Sequence, residues 1–363
     1  MHFDIAVVGG GSTGTSIFRD LSMRGFKTVL IEKERISGGT TQHSHQNLVG
    51  GLRYVIKDPT VAKNCAEENR TLSRIAPGLI GEKGNYFVGF ECEYIDRALK
   101  AARQLDISIK EMDISDVLRE IPSLNKSIEI AYLTEDKNIN ASEFCRLNCL
   151  SSIEYGGVLL ENTEVCSIRK GECFRINTDD GYIESDWIVN ATGPWTNSIA
   201  ELLNINIPLV YSQGTIIVQE TLSPRSIQYF REPSDGDAYI VHGSHAWLGT
   251  TSTRLSHPQY AEPESWAEEY LKDEFSKIMP NVKKKPCLQK FAGIRPLIGK
   301  SDDQDSRQIS RDYEIIEPIS GFISIIGGKL TTARLMAEVL SDYICNKMGT
   351  KKSCRTAIEP LEV

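Results

Sequence analysis

The chain has 363 residues, 40% apolar and 25% charged, which is the balance of an ordinary globular protein with room for one large domain or two interleaved ones. Its net charge of −8 argues against a general nucleic-acid binder, yet a few local cations could still hold an anionic small molecule. No apolar run approaches the ~18–20 residues of a membrane span, and the first strand pattern begins at about Phe3, too early for a charged leader with an apolar core. The expectation is a cytoplasmic protein, with peripheral contact at the inner face of the cell membrane left open.

Residues 3–8 (FDIAVV) read as a short apolar strand. A glycine cluster follows, then a helical pattern over residues 17–21 that Gly25 stops. Thr28–Ile31 reads as a second apolar strand, ending at Glu32. Residues 37–54 are rich in Gly, Ser, Thr, Gln and His, and predict an extended loop that contacts something, since a purely connecting loop is usually shorter. Helices are expected near 59–76, 94–105 and 141–155, and a strand of a different sheet at 86–90.

Residues 158–160, 164–169, 173–177 and 187–190 are strand-like, with intervening Gly and Asp that suggest hairpins. Residues 215–219, 238–241 and 247–249 suggest a second, antiparallel sheet. Residues 262–279 predict an amphipathic helix with Trp266, Tyr270, Phe275 and Ile278 on or near one face, ended by Pro280. A strand at 322–326, two glycines and a helix at 330–340 close the core. With no repeat and no long linker, domain segments are expected to interleave.

Nine cysteines without tight spacing suit a reducing compartment. Cys145 and Cys149 share a helix face but have no second close pair, so they read as buried thiols and no metal site is expected.

Gly9, Gly11 and Gly14 fit G-x-G-x-x-G between an apolar strand and a helix, the context in which that pattern binds a dinucleotide. The helix N-terminus then offers its amides to the pyrophosphate. Glu32, at the end of the next strand, is placed to accept ribose hydroxyls. The fingerprint does not separate NAD from FAD. Two further strand ends with small residues, Ala191-Thr192-Gly193 and Gly327-Gly328-Lys329-Leu330-Thr331, suit a long FAD lying across the sheet.

These segments, with Gly50-Gly51-Leu52-Arg53-Tyr54, Gly293-Ile294-Arg295-Pro296-Leu297 and Ser310-Arg311-Asp312-Tyr313, come in the order found in FAD-dependent glycerol-3-phosphate dehydrogenases. The chain resembles that family of D-amino-acid-oxidase-like flavoproteins over essentially its whole length, and most closely the anaerobic catalytic subunit. Gly249-Thr250-Thr251-Ser252 and residues 230–235 fit that branch too.

The resemblance implies an α/β fold in which a Rossmann-type (GR2) FAD-binding domain interleaves with an α+β substrate domain on a mixed, largely antiparallel sheet. The segments assigned are 1–80, 141–208 and 316–363 to FAD, and 81–140 and 209–315 to substrate. It implies oxidation of sn-glycerol 3-phosphate at C2 to dihydroxyacetone phosphate. Arg53, Tyr54 and Lys329 match positions that hold the substrate phosphate. Arg295 matches one beside the reacting hydroxyl, and Arg311 a further arginine nearby. Such cations suit a phosphate and a developing alkoxide. The expected cofactor contacts are Gly9, Gly11, Ser12, Thr13 and Gly14, then Glu32 and Lys33. Thr40, Thr41, His45, Gln46 and Val165 follow, with Ala191, Thr192 and Gly193, and finally Gly327, Gly328, Lys329, Leu330 and Thr331.

The chain departs from the family pattern in three places. Val49 stands where a histidine is common, and Gln213-Gly214-Thr215-Ile216 replaces the K-G-S-H of aerobic relatives. The proton acceptor is therefore unassigned; His45 is the nearest imidazole in the loop, and the neutral form of an imidazole near pH 7 suits a base. His43 alternates with it, while His242 and His245 read as structural or surface groups, as do Arg231 and Arg254. The chain also stops at Val363 without the cysteine-rich domain of the anaerobic enzyme, so electrons are expected to leave by a quinone, a partner iron–sulfur subunit or oxygen. The alternatives are oxidation of another 2-hydroxy acid or amine, or a non-catalytic flavoprotein subunit.

Overall fold

His2–Val8 is a central strand because it is apolar toward both faces of its sheet. Ile5 and Val7 enter one core cluster, and Ala6 and Val8 enter another. A parallel strand covered on both faces reads as such a continuous apolar run. The computed structural model describes residues 1–81, 83–229, 238–299, 309–310 and 312–362. In it this strand pairs in parallel with Thr28–Ile31 on one side and Gly181–Asn190 on the other.

The sheet runs Tyr313–Ile319, Phe322–Gly327, Gly181–Asn190, His2–Val8, Thr28–Ile31, Val158–Leu160. Val165–Lys170, Phe174–Thr178 and Gly181–Asn190 form the antiparallel meander expected from their turns. Val158–Leu160 does not join it; it pairs in parallel with Thr28–Ile31 instead.

Helix Ser12–Met23 packs Ile17, Phe18 and Leu21 on this sheet, beside Met336, Leu340 and Ile344 of helix Ala333–Lys347. The first helix ends as a Schellman motif. Gly25 donates its N–H to Ser22, and Phe26 donates to Leu21.

The second sheet runs Thr253–Leu255, Leu209–Glu220, His245–Gly249, Ala238–His242, Ile227–Gln228, Tyr86–Gly89, Ile130–Thr134, Ile109–Glu111, with Gln289–Ile298 also along Leu209–Glu220. All its pairs are antiparallel except Ile227–Gln228 with Tyr86–Gly89. It is therefore mixed and largely antiparallel, as expected.

Three local expectations are corrected. The helix expected over 262–279 is only Ala267–Ser276. Its N-terminal approach is diverted because the Glu264 carboxylate accepts from the hydroxyls of Thr215 and Thr251. Leu271, Phe275 and Ile278 are buried, whereas Trp266 is 48% exposed. The last helix begins at Ala333, not 330, because Lys329–Thr332 is spent on a turn in which Thr332 N–H donates to the Lys329 carbonyl. The long loop also contains short structure: Asn47–Leu48 pairs with Lys137–Asn138, and Leu52–Tyr54 is one 3₁₀ turn.

Candidate active site

The turn after the opening strand is built by exclusion. Gly9 has φ +107°, and a Cβ there would lie 2.6 Å from the Ala191 carbonyl oxygen. At Gly14 a Cβ would run into the Gly9 carbonyl, so this glycine lets the helix sit directly on the strand. Gly11 caps that helix, whose first-turn amides have no acceptor within the helix. Thr41 Oγ1 lies 3.0 Å from the Ser12 amide and brings the 37–46 segment over the turn. Glu32 accepts the Gly10 N–H at 2.7 Å and the Glu34 N–H at 2.9 Å, which fixes its carboxylate at the strand end. Beside it, Lys33 Nζ stands 5.2 Å from the Trp195 ring centroid.

The 37–54 segment bridges the two sheets. Thr40 donates to the Ile294 carbonyl at 2.9 Å, and His43 Nδ1 lies 2.9 Å from the Gly39 carbonyl. His242 Nε2 donates to the His45 carbonyl at 3.1 Å, and its ring centroid lies 4.2 Å from that of Trp247 with the planes tilted at 45°. His245 and Arg254 are exposed. Gln46 Oε1 accepts the first amide of helix Ala141–Glu154, and Val49 N–H donates to Thr331 Oγ1 at 2.9 Å.

Three cations arrive from three distant parts of the chain. Arg53 and Tyr54 lie on the 3₁₀ turn, and Lys329 Nζ sits 4.2 Å from the Tyr54 ring centroid, a cation–π distance. Arg295 is in register with Ser212 across paired strands and donates to Ser212 Oγ at 3.4 Å and Thr250 Oγ1 at 3.1 Å. Gly214 makes room for it: a Cβ there would stand 2.5 Å from Arg295 Nη2.

One cavity of about 840 Å³ collects these groups. Gly9, Gly11, Ser12, Thr13, Glu32 and Lys33 line it from the first half of the sheet. Thr40, Thr41, His45, Gln46, Arg53 and Tyr54 line it from the loop, and Val165, Ala191, Thr192 and Gly193 from the middle of the chain. Arg295, Gly327, Gly328, Lys329, Leu330 and Thr331 complete it. Gly14 lies beneath, packed on Gly9. Arg311, Arg231 and residues 230–235 fall outside the described residues.

Sequence reasoning missed Ser212 and Thr250, which hold Arg295, and Trp195, which lies against Lys33. Thr250 stood in a quoted motif, but only the strand register shows what it touches. Cys145 and Cys149 are buried, and burial pushes the Cys145 thiol up to about 12. Among the described residues, no cluster of three or more His, Cys, Asp or Glu side chains is arranged to hold a metal.

A dinucleotide turn facing a cationic recess defines a nucleotide-dependent oxidoreductase. Residues 4–343 match the FAD dependent oxidoreductase family, and the chain belongs to that family. It is 32% identical to an anaerobic glycerol-3-phosphate dehydrogenase subunit from Haloferax volcanii, over 98% of this chain and 66% of that protein. It is 29% identical to the corresponding Escherichia coli K12 protein, also named as an anaerobic glycerol-3-phosphate dehydrogenase subunit, over 98% and 69%. The chain thus spans about two thirds of the length of these relatives. Glycine oxidase from Geobacillus kaustophilus shares the fold at TM-score 0.80 and 17% identity, covering 99% of this chain and 98% of its own. A glycerol-3-phosphate dehydrogenase from Bacillus halodurans, solved with FAD, matches at TM-score 0.73 and 22% identity, covering 98% and 67%.

FAD is the cofactor of this family, and the residues present fit it. A carboxylate stands at the end of the second strand, a helix N-terminus without a side-chain cap follows a glycine-lined turn, and one cavity lining joins both to the strand ends at 191–193 and 327–331.

Proposed function

We propose that this protein oxidises sn-glycerol 3-phosphate to dihydroxyacetone phosphate. The observation that carries the reading is the convergence of Arg53, Arg295 and Lys329 on the cavity that also holds the dinucleotide turn and Glu32. The likeness to anaerobic glycerol-3-phosphate dehydrogenase subunits supports it.

Bound FAD supplies the hydride acceptor. The protein does the rest. Glu32 takes the adenosine ribose, and the Thr13 amide of the helix N-terminus faces the pyrophosphate. Arg53 and Lys329, with Tyr54 between chain and cation, hold the substrate phosphate. Arg295, fixed by Ser212 and Thr250, steadies negative charge developing on the substrate O2 as its proton leaves. His45 is the imidazole assigned to take that proton.

The same reading divides the chain into FAD-binding segments 1–80, 141–208 and 316–363 and substrate segments 81–140 and 209–315. Electrons then pass to a quinone or a partner redox subunit. No helix among the described residues is long and apolar enough to cross a membrane.

The test is anaerobic mixing of FAD-loaded protein with a substrate panel. Glycerol 3-phosphate should bleach the visible flavin band, and glycerol should do so far more weakly, since a site built for phosphate rejects analogues lacking it. Bleaching by a non-phosphorylated hydroxy acid or amine, with none by glycerol 3-phosphate, would overturn the assignment.

A further inference from the structure

Asp136 lies outside the cavity lining, yet it holds the loop that carries Arg53. Its side chain is 1% exposed. Oδ1 accepts the Gly50 N–H at 2.8 Å. Oδ2 accepts from Asn47 Nδ2 at 3.2 Å and from Gln228 Nε2 on the second sheet. Asn47 is in turn bonded by Asn85. A Cβ at Gly50 would stand 2.9 Å from Asp136 Oδ1, so the close approach needs glycine.

Every hydrogen-bond partner shown for this carboxyl is a donor, and Arg53 is the cation that acts on it electrostatically. Burial pushes this carboxyl above its usual range, while the bonds from Gln228 and Gly50, the charge of Arg53 and the bond from Asn47 pull it back. Gly50 is three residues from Arg53, with one 3₁₀ turn between, closed by Tyr54 N–H on the Gly51 carbonyl. On the other side of the same loop, Thr331 holds Val49, two residues from Lys329. The loop is therefore clamped at adjacent residues, by the second sheet through Asp136 and by the segment of Lys329 through Thr331.

We propose that Asp136 is the positioning residue of the phosphate recess: through Gly50 and Asn47 it sets Arg53 opposite Lys329 and so fixes the affinity for a phosphate monoester. This rests on the substrate reading above.

The experiment uses FAD-loaded protein and two probes, inorganic phosphate and glycerol 3-phosphate. Asp136→Asn should keep FAD and weaken phosphate binding about tenfold, the scale of one charge-assisted hydrogen bond. The concentration of glycerol 3-phosphate for half-maximal flavin bleaching should rise by a similar factor. The limiting bleaching rate should change by less than about threefold, and the preference over glycerol should shrink. Asn47→Ala, which removes one donor and leaves the charge, should move phosphate affinity the same way by a smaller factor and serves if Asp136→Asn fails to fold. A merely structural role would lower FAD content and thermal stability while phosphate affinity per flavin stayed at the wild-type value, and that result would overturn the proposal. If glycerol 3-phosphate fails to bleach the wild type, the substrate reading falls. The phosphate measurement, which needs no turnover, still decides on Asp136.

Discussion

Arg295 is held at its place by two hydroxyls and by a missing methyl. Ser212 and Thr250 accept its N–H groups, and Gly214 leaves the space its guanidinium occupies. A fixed donor aimed at a developing oxyanion is worth about 10²–10³ in rate. Arg295→Ala should therefore slow flavin reduction by about that factor while FAD content stays constant; equal loss of both would sink the role. Gly214→Ala should reproduce the defect without mutating the arginine, because the added Cβ must displace the guanidinium and the Thr250 hydroxyl that holds it. Wild-type reduction by Gly214→Ala would show that its position is not critical.

At the level of elements, an ion pair and an imidazole tie helices and loop together. Helix Pro59–Ile75 and helix Ala333–Lys347 are joined by Glu68 and Arg334, 4% and 5% exposed, at 2.5 and 2.8 Å. Arg334 keeps Glu338 at 2.6 Å when Glu68 is removed, so the loss is that of charge-assisted hydrogen bonds, about 1.5–3 kcal/mol, and not that of a stranded charge. Glu68→Ala should lower stability by that amount in chemical denaturation, and a loss under about 1 kcal/mol would contradict the reading.

His242 joins strand Ala238–His242 to the loop at His45. Burial pushes its imidazole below the ordinary value, against the smaller opposing pull of the bond to the His45 carbonyl. The unfolded chain then binds a proton near ~6.5 that the folded site resists. Stability from this group is present above that pH and is lost as pH falls through the folded value. His242→Gln should flatten the fall in thermal midpoint between about pH 7.5 and about pH 5. Parallel profiles for the two proteins would dismiss the idea.

Across the whole molecule, the cofactor cavity is walled by both sheets, the 37–54 loop and the strand end at 327–331, so ligand and fold should stabilise one another. FAD at a hundredfold excess over its Kd should add about 2.7 kcal/mol and raise the unfolding midpoint. Glu32→Ala should shift this effect to higher FAD concentration. A midpoint indifferent to FAD in the wild type would count against the site itself.

Short-range features were legible along the chain. The strand–glycine–helix–strand unit could be read from residues 3–32 because its signals are local: an apolar run, turn glycines and a helix stop. The glycine pair at 327–328 was legible for the same reason, but the helix after it was placed too early, since a hydroxyl–backbone turn looks like a helix start in composition. The helix expected over 262–279 was overextended because the diversion of Glu264 toward Thr215 and Thr251 depends on a strand about fifty residues away.

The candidate site divides along the same line. By itself the sequence determined the dinucleotide turn, the acid at Glu32 and the set of candidate cations, since each follows from residue type and near neighbours. Only the tertiary structure decided that Arg53, Arg295 and Lys329 share one cavity, that Gly214 opposes Arg295, and that Asp136 grips the loop at Gly50. The physical reason is that strand register and sheet order, not spacing along the chain, set which side chains meet across elements.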